Sequence, residues 1–235
     1  MTVHLIVLGV TWFVVFLFST TLHEAGHALA AYRLGDPTAY HGGQVSLSPL
    51  PHIRREPVGM LIVPLLTFAF SQGSWMMGWA SAPYDPEWAH HHPRRAAVMA
   101  LAGPAANLLL VVLSGLLIRA GMSAGAFYPP DRVSFTVMTA AHGPGLAAAL
   151  VTPLSILFSL NLVLFVFNLL PLPPLDGSAA IALFMSDDVA RRYQQFLRQP
   201  MFSMVGLFVA WRIFDPLVQP VYSLALNVLY PGLYR

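Results

Sequence analysis

The sequence predicts an all-α polytopic membrane protein with about four to six transmembrane helices, a re-entrant segment and a short membrane-associated β region. The first observation behind this prediction is composition. Hydrophobic residues make up 57% of the 235 positions and charged residues only 9%, whereas a soluble domain carries about 25% charged residues. The second observation is that long uncharged apolar runs recur along the chain. Lipid is therefore the expected main solvent.

Three apolar runs reach the roughly 20 residues that a membrane-spanning helix needs. They are residues 5–32, 96–118 and 146–170. A fourth run, residues 201–230, contains charged residues and prolines, so one kinked helix and two half-length helices both remain open. We interpret residues 1–235 as a single membrane domain, with a core over 1–185 and a C-terminal helical segment over 200–232.

A shorter apolar run, Val58–Phe70, has 13 residues. A helix of this length reaches roughly 20 Å, which is less than a hydrocarbon core of ~30 Å. Upstream of it, residues 44–48 alternate polar and apolar side chains between Gly43 and Pro49. This alternation predicts a short strand, whose edge amides would need partners near lipid.

The first apolar run ends in the motif HEAGH, residues 23–27. On a helix, His23 and His27 lie on one face at adjacent turns, so both imidazoles can bind one Zn²⁺. Glu24 beside them is a candidate to take a proton from a water molecule at that zinc. Three ionisable groups at the end of an apolar helix are costly, and such groups indicate function.

A catalytic zinc ion needs a third protein ligand. The chain has no Cys and only three Glu, of which Glu56 and Glu87 lie in polar connectors, so Asp and His remain as candidates. Asp176 follows directly on an apolar run, as the two histidines do. Its alternative role, an N-cap for the segment after Gly177, remains open at this point.

If His23 and Asp176 share one ion, their two spans must run parallel with a single crossing between them. The run Val58–Phe70 must then dip into the membrane and return, which is tolerated only where protein or a water-filled cavity lines it.

The distribution of the arginines agrees with this topology. Eight of them then share one side, and only two, Arg119 and Arg132, lie on the other. The larger group comprises Arg33, Arg54, Arg55, Arg94, Arg95, Arg191, Arg192 and Arg198. The positive-inside rule places this side, and with it the zinc site, at the cytoplasmic face. The basic pI of about 9.2 is thereby explained without nucleic acid as a partner.

The three ordered motifs HEAGH (23–27), AGPAAN (102–107) and NLLPLPPLDG (168–177) resemble those of the site-2 proteases, intramembrane zinc metalloproteases of peptidase family M50. The stretch LSPLPHI (47–53) resembles the strand-and-loop region of their compact subgroup, which lacks PDZ and CBS domains. One departure is the pair Arg54 and Arg55, where the subgroup commonly has an acidic residue. The resemblance implies His23, His27 and Asp176 as ligands of one Zn²⁺ and Glu24 as general base. It also implies roles near the site for Asn107 and Asn168, in binding substrate or an oxyanion; for both, hydrogen bonding between helices is the alternative.

The resemblance implies cleavage of transmembrane segments of single-span membrane proteins in the cell membrane of a bacterium or archaeon. Because a helical substrate must unwind, we expect the predicted strand to hold it by edge pairing, through Gln44, Val45 and Ser46. A strand paired only within the protein is the alternative. A non-proteolytic membrane protein that binds zinc or membrane clients is the alternative function.

Overall fold

A bundle of long apolar helices forms the frame of the protein, seen in a computed structural model that describes residues 3–197 and 199–234. In chain order the helices are α1 (Val3–Leu34), α2 (Thr38–His41), α3 (Pro49–Arg55), α4 (Val63–Phe70), α5 (Pro86–His91), α6 (Pro93–Ser123), α7 (Leu146–Asn168), α8 (Asp176–Ala180), α9 (Asp187–Leu197), α10 (Pro200–Arg212) and α11 (Phe214–Leu229). A π-helical turn (Val58–Ile62) leads into α4, and a 3-10 turn (Ile181–Phe184) follows α8. Between α6 and α7, β1 (Phe127–Tyr128) pairs with β2 (Ala140–Ala141) in an antiparallel sheet.

Three helices, α1, α6 and α7, are each long and apolar enough to cross a membrane. The pair α10 and α11 meets the same criterion jointly but is bent by 54°, so the described residues supply three spans, or four if the bent pair is one. The C-terminal run is therefore two helices, which meet at Ile213 beside the charged Arg212. The predicted all-α polytopic class is confirmed, with three or four candidate spans in the described residues where about four to six were expected.

The helices α1 and α7 run in the same direction. Phe16 of α1 and Ile156 of α7 belong to one buried cluster. Further toward the C-terminus of both helices, Asn161 donates a hydrogen bond to Ser19 at 2.9 Å. A metal site to which both spans contribute ligands requires this common direction.

The helix α6 runs opposite to α1. His27 of α1 lies against Met99 of α6, and His23, one turn earlier, lies against Asn107. Between these contacts the two backbones approach closely, because a Cβ added at Gly26 would come within 2.9 Å of the carbonyl oxygen of Ala102. Small residues at such crossings let membrane helices pack through their backbones.

The segment Val58–Phe70 enters the bundle beside α1 and returns, as the re-entrant prediction requires. Phe68 packs in the buried cluster with Trp12, in the N-terminal half of α1. After a turn the chain runs back in extended form, and the Trp79 N–H donates to the Gly59 carbonyl at 3.1 Å. A Cβ at Gly59 would collide with Trp79, so this glycine allows the outward and return arms to touch.

Both ends of this hairpin lie at the C-terminal end of α1. The Ser81 hydroxyl donates to Glu56 Oε1 at 2.6 Å, which joins the return arm to the start of the outward arm. The Asp85 N–H donates at 2.8 Å to Oδ2 of Asp36, which lies just beyond α1. The segment therefore reaches deep into the bundle without crossing it.

The predicted strand over residues 44–48 is wrong, because these residues form a series of bends. Local polar groups satisfy each other instead: the Gln44 N–H donates to the Ala39 carbonyl, and the Ser48 N–H donates to the Ser46 hydroxyl. Serine side chains compete with a strand ladder in this way. The two-stranded sheet lies elsewhere, in the connection between α6 and α7.

The arginines collect at the end of the bundle where α1 terminates. Arg95 donates to the carbonyl oxygen of Leu34, and Arg94 pairs with Asp187 at 3.2 Å. At the other end, Arg119 donates to the Leu229 carbonyl. Arg198, which the sequence places on the arginine-rich side, lies outside the described residues.

Candidate metal centre

The two histidines of HEAGH meet near the C-terminal end of α1. Their spacing of four residues places both imidazoles on one face of the helix, and the two Nε2 atoms lie 3.1 Å apart. Both side chains are buried, at 7% exposure for His23 and 6% for His27. The predicted common face is therefore confirmed at the level of the ligand atoms.

Asp176 completes the cluster from the other end of the chain. Its Oδ2 lies 3.1 Å from His23 Nε2 and 3.3 Å from His27 Nε2. Asp176 is the first residue of α8, and no side chain caps that helix, where Leu175 occupies the cap position. The N-cap alternative for Asp176 is therefore wrong, and its carboxylate faces the histidines.

Hydrogen bonds on the far side of each ring fix which nitrogen faces the cluster. His23 Nδ1 lies 2.5 Å from Asn107 Oδ1, and His27 Nδ1 lies 2.8 Å from the Met99 carbonyl. Both partners are oxygens that only accept, so each Nδ1 carries a proton, and Nε2 is the nitrogen left to bind a metal ion in its deprotonated form. A hydrogen bond from the ring nitrogen that faces away from the metal is typical of metal-ligating histidines.

The three converging atoms fit Zn²⁺. Tetrahedral ligands with bonds of about 2.0–2.1 Å lie about 3.3–3.4 Å from one another, and the observed separations are 3.1–3.3 Å. Among the described residues, His23, His27 and Asp176 form the one group of three or more such side chains that can hold an ion. Two imidazoles and one carboxylate leave a fourth position open, which is the arrangement of catalytic zinc sites.

Asp176 is held in its ionised form. Burial raises the pKa of its carboxyl, but the neighbouring His27 and His23 lower it by more, so that the pKa lies well below its usual range. A carboxylate is the form that binds a metal ion.

Glu24 is a buried carboxylate beside this cluster. It is 4% exposed, and its Oε2 atom has no hydrogen-bond partner among the described residues. A buried acceptor without a partner is costly to the fold and indicates a functional role. An unused carboxylate oxygen next to a metal site is suited to accept a proton.

Gly103 of α6 makes room for both imidazoles. A Cβ at this position would collide with the Nε2 atoms of His27 and His23. The AGPAAN motif thus contributes two residues with separate roles, because Gly103 clears the space for the ligands and Asn107 orients one of them.

The remaining predicted residues lie apart from the ligand atoms. Asn168 donates to the Leu164 carbonyl of its own helix at 3.0 Å. Gln44 is buried and donates to the Ser81 carbonyl, while Val45 and Ser46 are half-buried. Hydrogen bonds link none of these residues directly to the three ligands.

Sequence reasoning missed two residues, Ser19 and Asn161. Asn161 accepts from the Asn107 amide at 2.8 Å and donates to Ser19. Both are polar residues within apolar runs, 0% exposed, and such residues in membrane spans are a signal in themselves. The sequence did contain that signal.

Bundle and site together define a polytopic membrane protein with a three-ligand zinc site near the end of its first span. The chain matches peptidase family M50 over residues 11–212 and belongs to that family. It is 36% identical to YwhC of Bacillus subtilis, named as a zinc metalloprotease, over 68% of this chain and 63% of the relative. It is 32% identical to Rip2 of Mycolicibacterium smegmatis, named likewise, over 74% of this chain and 57% of the relative. With Rip2 of Mycobacterium tuberculosis H37Rv it shares 31% identity over 83% of this chain and 64% of the relative.

The matched region thus spans about three fifths of the length of these curated relatives. No solved structure matches the chain significantly.

Proposed function

We propose that this protein is a zinc-dependent endopeptidase that cleaves membrane-protein substrates within their transmembrane segments. The observation that carries the proposal is Glu24, a buried carboxylate with an oxygen lacking a partner, beside three converging metal ligands. A site that only stored zinc would have no use for this carboxylate. Membership of a peptidase family supports the same activity.

His23, His27 and Asp176 hold the ion in this proposal. Zinc would activate a water molecule and polarise the scissile carbonyl. Glu24 accepts the proton of the attacking water and delivers it to the leaving amine, a role that suits a carboxylate with one unused oxygen. Asn107 and Met99 hold the two rings so that both Nε2 lone pairs face one point.

A transmembrane helix hides its amides and must unwind locally before cleavage. We propose that Val45 and Ser46 help to hold the unwound chain through their backbone. In the described part of the chain, neither of their N–H groups donates a hydrogen bond. Gln44 supports this segment from within, by donating to Ser81 on the return arm of the hairpin. Asn168 lies at the end of α7, and its amide keeps one hydrogen free for substrate in addition to its bond to Leu164.

The site opens to the cytoplasm in this proposal. The arginine-rich end of the bundle is the end at which α1 terminates, and His27 precedes that terminus by roughly two turns, about 10 Å. Water can reach such a depth without crossing the bilayer. The arginine distribution supports the orientation through the positive-inside rule.

The test uses the purified protein in liposomes with a panel of single-span peptides, with and without a metal chelator. Cleavage should require zinc and be lost in Glu24→Gln, by about 10²–10⁴-fold, because general base catalysis contributes that much. Zinc content should stay stoichiometric in Glu24→Gln. A Glu24→Gln protein that cleaves like the parent would exclude the proposed general base. Absence of zinc-dependent cleavage in the parent would favour a protein that only binds zinc or membrane clients.

A further inference from the structure

A chain of hydrogen bonds between buried side chains leads from the ligand His23 through all three long helices. His23 Nδ1 on α1 lies 2.5 Å from Asn107 Oδ1 on α6. The Asn107 amide donates to Asn161 Oδ1 on α7 at 2.8 Å. Asn161 in turn donates back to α1, to Ser19 Oγ at 2.9 Å. Asn107, Asn161 and Ser19 are all 0% exposed.

The chain of bonds has one direction. The Asn107 amide nitrogen donates to Asn161 Oδ1, and this turns Asn107 Oδ1 toward His23, which must therefore donate through Nδ1. Asn161 must then present its carbonyl to Asn107 and its own amide nitrogen to Ser19. A second acceptor, the Leu157 carbonyl at 2.7 Å, fixes that orientation of Asn161. Flipping either amide would place two donors or two acceptors face to face.

We propose that Asn161 is a positioning residue of the metal site, acting on His23 through Asn107. Ser19 and Leu157 anchor Asn161, Asn161 fixes the rotation of Asn107, and Asn107 fixes the plane and tautomer of the imidazole. The inference rests on zinc at this site, as in the proposed function, but it does not depend on proteolysis. Its rival is a purely structural role, in which the amides only join helices within the membrane.

Burial explains why Asn161 is suited to this role. A polar side chain in a span is costly unless it is hydrogen-bonded, so an alternative rotamer without partners is disfavoured. Asn161 therefore has few alternatives to its observed rotamer. Its hydrogen bond to Asn107, which is also buried, then restricts the rotation of the Asn107 amide.

The first experiment replaces Asn161 by Leu, which keeps the branched shape and the number of heavy atoms and removes both the donor and the acceptor. Loss of an outer partner of a metal-binding histidine costs about 10–100-fold in metal affinity, so we expect zinc affinity to fall about tenfold, the low end of that range. The Co²⁺-substituted protein should show an altered visible spectrum, which reports ligand geometry. Asn161→Asp should restore the parental spectrum, because its carboxyl still accepts from Asn107 and, when protonated, donates to Leu157.

Ser114→Ala is the matched control. Ser114 is likewise 0% exposed in a long helix, and its hydroxyl bonds only to its own helix, at the Leu110 and Val111 carbonyls. Its removal should leave zinc affinity and the cobalt spectrum unchanged.

A double-mutant cycle separates positioning from helix joining. If Asn161 acts through Asn107, then Asn161→Leu should change zinc affinity in the parent but not in an Asn107→Ala background. A purely structural Asn161 would instead give additive losses in the two backgrounds, and additive losses would overturn the proposal. If Asn161→Leu does not fold, Ser19→Ala takes its place in the cycle, with an effect of the same sign.

The cobalt spectrum and the zinc affinity of folded Asn161→Leu also decide the matter. If both are unchanged, Asn161 does not position His23. If Asn161→Leu does not fold, the same measurements on folded Ser19→Ala decide it. Neither the cobalt spectrum nor the zinc affinity depends on whether the protein cleaves peptides. If zinc affinity depends on Asn161 as expected but the protein cleaves no peptide, the proposed function is refuted and this inference stands.

Discussion

Oδ2 of Asp176 lies 3.1 Å from Nε2 of His23, although the two residues are far apart in the sequence. His23 lies in the C-terminal half of α1, and Asp176 follows the C-terminal end of α7. Their proximity therefore requires parallel helices, and α1 and α7 are parallel. It also requires that Val58–Phe70 return without crossing, which the contacts between Glu56 and Ser81 satisfy.

Replacing Asp176 by Ala should leave the protein without bound zinc at ordinary zinc concentrations. Loss of an outer-shell partner alone costs about 10–100-fold in metal affinity, so loss of a ligand should cost more than about 100-fold. Metal analysis of the purified protein measures this. Asp188→Ala, which removes an exposed carboxylate paired with Arg191, should keep zinc. Stoichiometric zinc in Asp176→Ala would remove Asp176 from the ligand set.

Gly103→Ala should impair the site although it adds only one methyl group. The new Cβ would collide with both imidazoles, and overpacking typically costs about 1–3 kcal/mol, so zinc affinity should fall about tenfold or more. Gly115→Ala is the control on the same helix, since its Cβ would meet the edge of Phe158 at 3.3 Å and Leu229 at 3.9 Å and no ligand of the metal site. Equal zinc affinity of the two variants would show that α6 adjusts at Gly103 without disturbing the ligands.

Physical constraints marked His23, His27 and Asp176 as candidate ligands in the sequence, and the resemblance to the site-2 proteases then implied the full set. Ionisable residues at the end of an apolar run have few explanations, and one shared ion dictates the relative direction of two spans. The re-entrant Val58–Phe70 followed from that geometry and from its length. These inferences needed no knowledge of side-chain packing.

The strand prediction at residues 44–48 failed for the opposite reason. Alternation over five residues is weak evidence, and Ser46 offers a local bond to the Ser48 N–H that competes with pairing. The sequence marked Asn161 as a polar residue in an apolar run, but the partners of Asn161 and the clearance at Gly103 were beyond sequence reasoning. Each depends on which face of a helix meets which neighbour, and the periodicity of an all-apolar helix does not reveal that face.

Membrane orientation is open to a labelling experiment, because the chain has no Cys. Single cysteines at Glu87 and Asp188, both exposed, should react with an impermeant reagent from the cytoplasmic side. A cysteine at Asp131, exposed in the connection between α6 and α7, should react from the other side. The positive-inside rule is the physical reason for this assignment. A cysteine at His41, exposed between α1 and Val58–Phe70, should react from the same side as the cysteine at position 87. Reaction at positions 41 and 87 from opposite sides would contradict the re-entrant topology, and a reversed pattern at all positions would contradict the cytoplasmic site.

Proline at positions 45 and 46 tests how substrate is held. Val45→Pro and Ser46→Pro each remove one N–H that has no partner among the described residues. If one of these groups bonds to the unwound substrate, the corresponding variant should cleave about threefold to tenfold more slowly, since a hydrogen bond contributes about 0.5–1.5 kcal/mol. Alanine at either position keeps the N–H and should be mild, and zinc content should be unchanged throughout. A substrate weakened by Gly near its cleavage site should partly rescue the slower proline variant, because less unwinding energy must come from binding. If both proline variants fold, bind zinc and cleave at the parental rate, then residues 45 and 46 do not hold substrate through their amides.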